Sequence, residues 1–65
     1  MLHEIFVKVP EGEGDYGSNW TRGACSMTIE QAMRWVKIGE NRGFEMRVFT
    51  QGKTVGRLVY ETKNT

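Results

Sequence analysis

The sequence predicts an α+β fold: a β-β-α-β-β domain over residues 1–65, with one helix packed on one face of an antiparallel sheet. Three patterns carry that expectation. Apolar and polar residues alternate over 2–9, a capped helical periodicity runs over 28–43, and a second alternating stretch over 44–60 is interrupted at Gly52. A chain of 65 residues holds a single small core, which at this size supplies only about 3–5 kcal/mol of net stability. Dimerisation or partner binding is therefore part of what the length suggests.

The first strand places Ile5, Val7 and Val9 on one side and Glu4, Phe6 and Lys8 on the other, and Pro10 ends it. Residues 11–19 mix glycines with acids and have no apolar period, so they read as a solvated loop. A second strand is expected over about 20–25. Thr28 followed by Gln31 is a capping box, and Glu30 in the first turn suits the positive end of a helix. Ile29, Ala32, Met33 and Val36 fall on one stripe, the expected core face. Asn41-Arg42-Gly43 supplies the stop, because glycine takes the left-handed conformation that closes a helix.

Parity constrains the last hairpin. An odd loop centred on Gly52 aligns Met46 with Leu58 and Phe44 with Tyr60, collecting Phe44, Met46, Val48, Leu58 and Tyr60 on the inner face. That register sets Arg47 against Arg57, a like-charge pair that needs Glu45, Glu61 or an external anion to offset it. Burying the apolar set outweighs this cost.

Composition narrows the function classes. Net charge is only +1, short of the basic excess that by itself marks a phosphate-binding chain. Residues 1–20 carry Glu4, Glu11, Glu13 and Asp15 against Lys8, whereas residues 21–65 carry eight Lys or Arg against four acids. Cys25 is the single cysteine and His3 the single histidine, too few for an internal disulfide or a structural zinc site. A basic leader is lacking at Met1-Leu2-His3-Glu4, and no apolar run nears the roughly 20 residues that span a bilayer. A cytoplasmic protein without membrane contact or cofactor is the expectation.

Apparent motifs fail on spacing. Gly52-Lys53-Thr54 resembles the tail of a phosphate-binding loop, but Arg47 stands where the upstream glycine belongs. Gly14-Asp15-Tyr16-Gly17 has the spacing of a KH-domain backbone clamp, yet its charge repels a nucleic-acid backbone. Glu11, Glu13 and Asp15 alternate like calcium ligands, but Arg22 occupies the position that must supply the closing carboxylate. Cys25 reads as a small buried thiol, and His3, Asp15, Ser18 and Ser26 match no hydrolase signature, so no catalytic constellation is expected.

Two surfaces stand out. If the helix stripe is centred near Ile29, Trp35 and Ile38 point outward beside Arg34 and Arg42, and Trp with Arg is the chemistry of interface anchors. If the helix instead rotates toward Ala32 and Gly39, Trp35 is buried at the stripe edge and only Ile38 is exposed. The second surface is the back of the sheet, where Phe6, Phe49 and Val55 accompany Arg47, Arg57 and Lys8. That mixture suits single-stranded nucleic acid, an acidic protein, or an ordinary solvated sheet face.

Thr28-Ile29-Glu30-Gln31-Ala32 followed by Gly43-Phe44-Glu45-Met46-Arg47-Val48 resembles a pattern in small bacteriophage early proteins, the host-takeover class that includes inhibitors of bacterial RNA polymerase. The resemblance implies a phage-type accessory protein acting in the host cytoplasm by binding a polymerase, nuclease or defence protein. It transfers no functional residue. The expected function is thus non-enzymatic binding that modulates or inhibits a host protein. Trp35, Ile38, Arg34 and Arg42 form the first contact set and Arg47, Arg57 and Phe49 the second. The acidic loop Glu11, Glu13 and Asp15 is a further candidate, imitating phosphate charge toward a basic groove. The alternatives are a nucleic-acid module using the sheet face and a self-associating subunit, a homodimer in the simplest case.

Overall fold

A computed structural model describes residues 1–52 and 56–63. Strand β1 (Leu2–Lys8) is followed by a loop holding a 3-10 turn, strand β2 (Trp20–Met27), helix α1 (Ile29–Asn41), and strands β3 (Met46–Gln51) and β4 (Leu58–Glu61). All neighbouring strands are antiparallel, in the order β2-β1-β3-β4, and α1 crosses one face mainly over β1 and β3. The predicted α+β class and element order are the observed ones.

The core is the layer between helix and sheet. Ile5, Met27, Ala32, Val36, Met46 and Val48 are buried, with Val7, Ala24, Met33 and Tyr60 packed around them. His3 shares this face, and its Nδ1 lies 3.3 Å from the Met27 carbonyl. A carbonyl oxygen only accepts, so that contact assigns the proton to Nδ1.

The helix begins and ends as its sequence dictates. Thr28 Oγ1 accepts from the Gln31 amide at 3.2 Å while Gln31 Oε1 accepts from the Thr28 amide at 3.1 Å, the reciprocal capping box. At the other end the Gly43 amide donates to the Glu40 carbonyl and the Phe44 amide to the Gly39 carbonyl. These paired bonds need a left-handed residue, which Gly43 supplies at φ 89°. The buried stripe is rotated from the expected one: Ala32 and Val36 are sealed, whereas Ile29 is exposed at the first turn. Gly39 lets the helix approach Met46 closely, which draws that side of α1 onto the sheet.

The β3–β4 register departs from the parity argument. Arg47 faces Glu61, Val48 faces Tyr60, and Phe49 faces Leu58 after a shift that leaves Val59 as an extra residue. Arg47 does not face Arg57, and the Arg47 Nε donates to Glu61 Oε2 at 3.0 Å. Opposite charge replaces like charge, and Tyr60 remains on the inner side with Val48. Arg57 instead pairs its backbone with Thr50, donating to Thr50 Oγ1 and accepting from the Thr50 amide. Leu58 and Phe44 are consequently exposed rather than core: the bulge carries Leu58 to Phe49, and α1 has already ended at Phe44. Lys53, Thr54 and Val55, including the loop-like Gly52-Lys53-Thr54 tail and the sheet-face role of Val55, lie outside the described residues.

Strand β2 runs past the expected Cys25 to Met27 by absorbing two irregularities against β1, since Ile5 pairs with Ala24 and His3 with Met27. Ser26 adopts φ 58° within the second, and its amide is satisfied by Gln51 Oε1 at 2.8 Å. These extra residues turn Ala24 and Met27 inward and leave Cys25 exposed, so the buried-thiol expectation is incorrect.

Candidate functional site

Trp35 and Ile38 both remain outside the core, 54% and 48% exposed, although the helix rotates toward Ala32 and Gly39. With Phe44, 46% exposed, they wall a cleft of about 300 Å³ between α1 and the β2 side of the sheet. Its floor is Ile5, Val7, Gly23 and Ala24, and Arg42 stands at its rim. The cleft exists because α1 leans over β1 and β3 and because β2 offers only small residues there. A Cβ on Gly23 would project over Ile5 and Val7, 3.3 Å from Ile5 Cγ1, so the missing side chain is the missing piece of the layer.

The helix surface beside the cleft is cationic. Arg34, Lys37 and Arg42 are exposed and enter neither ion pair found among the described residues. Glu40, the nearest acid in sequence to Arg42, is turned to the opposite task. It accepts from Tyr60 Oη at 2.6 Å and Thr62 Oγ1 at 2.5 Å, while Thr62 Oγ1 also accepts from the Met46 amide. The hydroxyls of Thr62 and then Tyr60 hold the Glu40 carboxyl below the usual carboxylate range, and the same bond to Glu40 raises the Tyr60 phenol. This network ties the end of α1 to β4.

The sheet's outer face collects Phe49 and Arg47 of the second contact set, with Phe6, Lys8, Glu4 and Trp20. Phe6 and Phe49 meet edge to face with centroids 5.4 Å apart. The Arg47 guanidinium lies 4.0 Å from the centroid of the Trp20 ring while its Nε holds Glu61, so one side chain reaches from β4 across to β2. Lys8 is matched to Glu45 at 3.0 Å. The face is therefore close to charge balance, and Arg57 does not form the basic pair with Arg47 that the sequence suggested.

The acidic loop is divided. Glu11 and Glu13 are exposed, but Asp15 Oδ2 accepts from the Arg22 amide at 3.1 Å and anchors the loop to β2. Tyr16 stands fully exposed at the loop tip with φ 57°. Among the described residues no cluster of His, Cys, Asp and Glu is arranged to hold a metal ion, and no helix is long and apolar enough to cross a membrane.

Sequence reasoning missed Phe44, Gly23, Trp20 and Glu4. Phe44 had been assigned to the core by parity, and Trp20 follows a loop with no period to place its ring. No protein-family model matches the chain, and neither a curated protein nor a solved structure does.

Proposed function

We propose that this chain is a small non-enzymatic binding protein that occupies the surface of a partner protein through the α1–β2 cleft. One observation supports the reading above the rest: Trp35, Ile38 and Phe44 converge, exposed, on one apolar hollow. Isolated exposed apolar residues need no explanation, but a contiguous set flanked by Arg does, since Trp and Arg dominate interface energetics. The cations Arg34, Lys37 and Arg42 select a partner segment that inserts apolar side chains and carries acids at its border. In line with the resemblance to phage early proteins, the target class is a host polymerase, nuclease or defence protein. Nucleic-acid binding on the outer face is less favoured, because Lys8 and Arg47 are already neutralised by Glu45 and Glu61.

The test is capture from host lysate followed by calorimetric titration of the identified, purified partner. Trp35→Ala and the cleft-filling Gly23→Leu are each expected to weaken binding by roughly 30-fold or more, the scale of an interface hot spot. Unchanged affinity in both variants, or loss confined to Glu11→Ala and Glu13→Ala, would refute the reading and place the contact on the loop.

A further inference from the structure

We infer that the segment received by the α1–β2 cleft is an amphipathic α-helix, lying beside α1 over β2, with acidic residues along the border that meets Arg34 and Arg42. The inference rests on the cleft being the partner-binding surface and names what enters it.

Layer geometry leaves a helix-sized place. Strands sit about 4.8 Å apart and packed helices about 8–10 Å apart, so one helix covers about two strands. Helix α1 lies mainly over the central pair, β1 and β3. On its β4 flank the Tyr60 and Thr62 hydroxyls reach Glu40 and bridge helix to sheet. On its β2 flank the strand offers Gly23 and Ala24, too short to rise to the level of Trp35 and Ile38. A helix at ordinary packing distance from α1 would lie over β2 and fill that place.

A strand could enter the same space only by extending the sheet at β2, and that edge is unsuited to it. The Trp20 amide is already bonded to Ser18 Oγ at 3.2 Å and the Arg22 amide to Asp15 Oδ2 at 3.1 Å. The register against β1 then shifts twice between Arg22 and Met27. A segment that buries apolar side chains without a ladder has to satisfy its own amides and carbonyls, as a helix does.

Charge sets the chemistry of its border. Arg34, Ile38 and Arg42 recur at four-residue spacing and form one ridge of α1, so the exposed Ile38 stands between two cations. Neither arginine enters an ion pair among the described residues. The nearby acids are committed elsewhere: Glu40 to Tyr60 and Thr62, Glu45 to Lys8, Asp15 to the Arg22 amide. Glu30 and Lys37, opposite in sign, both lie about 80–100° round the helix from Ile38, away from Trp35. Glu11 and Glu13 belong to the β1–β2 loop, and Glu4, Lys8, Arg22 and Arg47 to the outer side of the sheet; none of them lines the cleft. The border is therefore positive, and it disfavours a second copy of α1, which would set these arginines against themselves.

The test is a nitrogen–proton correlation titration of the intact protein with three end-blocked peptides of about 18 residues. The first carries leucines at helical period and two glutamates, spaced as Arg34 and Arg42 are, along one border of the leucine stripe. The second reorders the same residues into strand alternation, and the third replaces the two glutamates by lysine. The first is expected to shift the Trp35 indole and the Ala24 and Phe44 amides and to leave the Trp20 indole unmoved. It should bind about tenfold more tightly than the second and about fivefold more tightly than the third. Arg34→Glu combined with Arg42→Glu should reverse the preference between the first and the third. Tighter binding of the second peptide, equal binding of all three, no Trp35 shift at the highest soluble concentration, or an unreversed preference would each overturn the inference. So would a dimer of the protein alone, seen by sedimentation equilibrium and abolished by Ile38→Glu, which gives the cleft to a second copy. A captured partner that loses affinity with Trp35→Ala while the helical peptide fails strikes the helix alone; a partner indifferent to Trp35→Ala strikes the cleft and the helix with it.

Discussion

Substitution of Gly39 by alanine sets two effects of known size against each other. Glycine inside a helix costs about 0.5–1 kcal/mol relative to alanine, so propensity alone predicts stabilisation. The added methyl, however, would lie 2.7 Å from Met46 Sδ, 3.0 Å from Cε and 3.4 Å from Cγ. Ordinary contact between such atoms is about 3.5–4.0 Å, so the thioether must retreat by roughly 1 Å. Met46 is only 3% exposed and wedged between α1 and the sheet, which makes this an overpacking change of about 1–3 kcal/mol. Methionine yields more readily than other core residues, favouring the lower half of that range. The net expectation is destabilisation by about 0.5–1 kcal/mol, a fall in Tm of about 2–8 °C for a domain of this size. In a Met46→Val background Sδ and Cε are gone, and the same Gly39→Ala change should stabilise by about 0.5–1 kcal/mol. Urea unfolding of the four proteins, followed by far-ultraviolet circular dichroism, gives the cycle directly. Stabilisation by Gly39→Ala in the native background, or the same sign in both, would refute the packing argument.

Thr28→Ala removes one half of the capping box and should cost about 1 kcal/mol in the same urea assay, with Thr28→Ser largely retaining stability. The Glu40 carboxyl, held down in the folded state, adds stability that is present above its unfolded pKa and lost as pH falls through the folded one. Glu40→Gln should therefore flatten the acid limb of a urea midpoint against pH profile. The raised Tyr60 phenol acts at the alkaline end, where stability declines above the ordinary phenol pKa, and Tyr60→Phe should remove that contribution. Arg47→Ala should cost about 1 kcal/mol, the sum of a surface ion pair and a stacked cation, and the difference from the native protein should shrink in high salt.

Local chemistry was the legible part. The helix start at Thr28 and its stop at Gly43 depend on residues within one turn of each other, and both formed as read. Strand β1 likewise needed only its own alternation and Pro10. The β3–β4 register was harder because parity distinguishes even from odd alignments but not one even alignment from another. Setting Arg47 opposite Arg57 or opposite Glu61 preserves the same inner face, and the like charge in the first was the clue to the second. The extra residues in β2 had no local signature beyond Gly23, so the exposure of Cys25 was not foreseen. For the candidate sites, Ile38 pointed outward under either helix rotation, whereas Trp35 did so under only one of the two. The hollow between them was not legible, because it depends on where α1 sits relative to β2, a property of close packing at Gly39 and Met46 rather than of helical period.

The irregularities in the outer strands have a further outcome. Both margins of the sheet are crooked, β2 through two inserted residues and β4 through one, so neither presents an unbroken ladder of donors and acceptors. A neighbouring copy seeking to extend the sheet would meet a rung out of step at either side, which obstructs stacking into fibres. The kink at Gly23 and Ala24 that floors the hollow beside α1 thus also breaks the regular edge of β2.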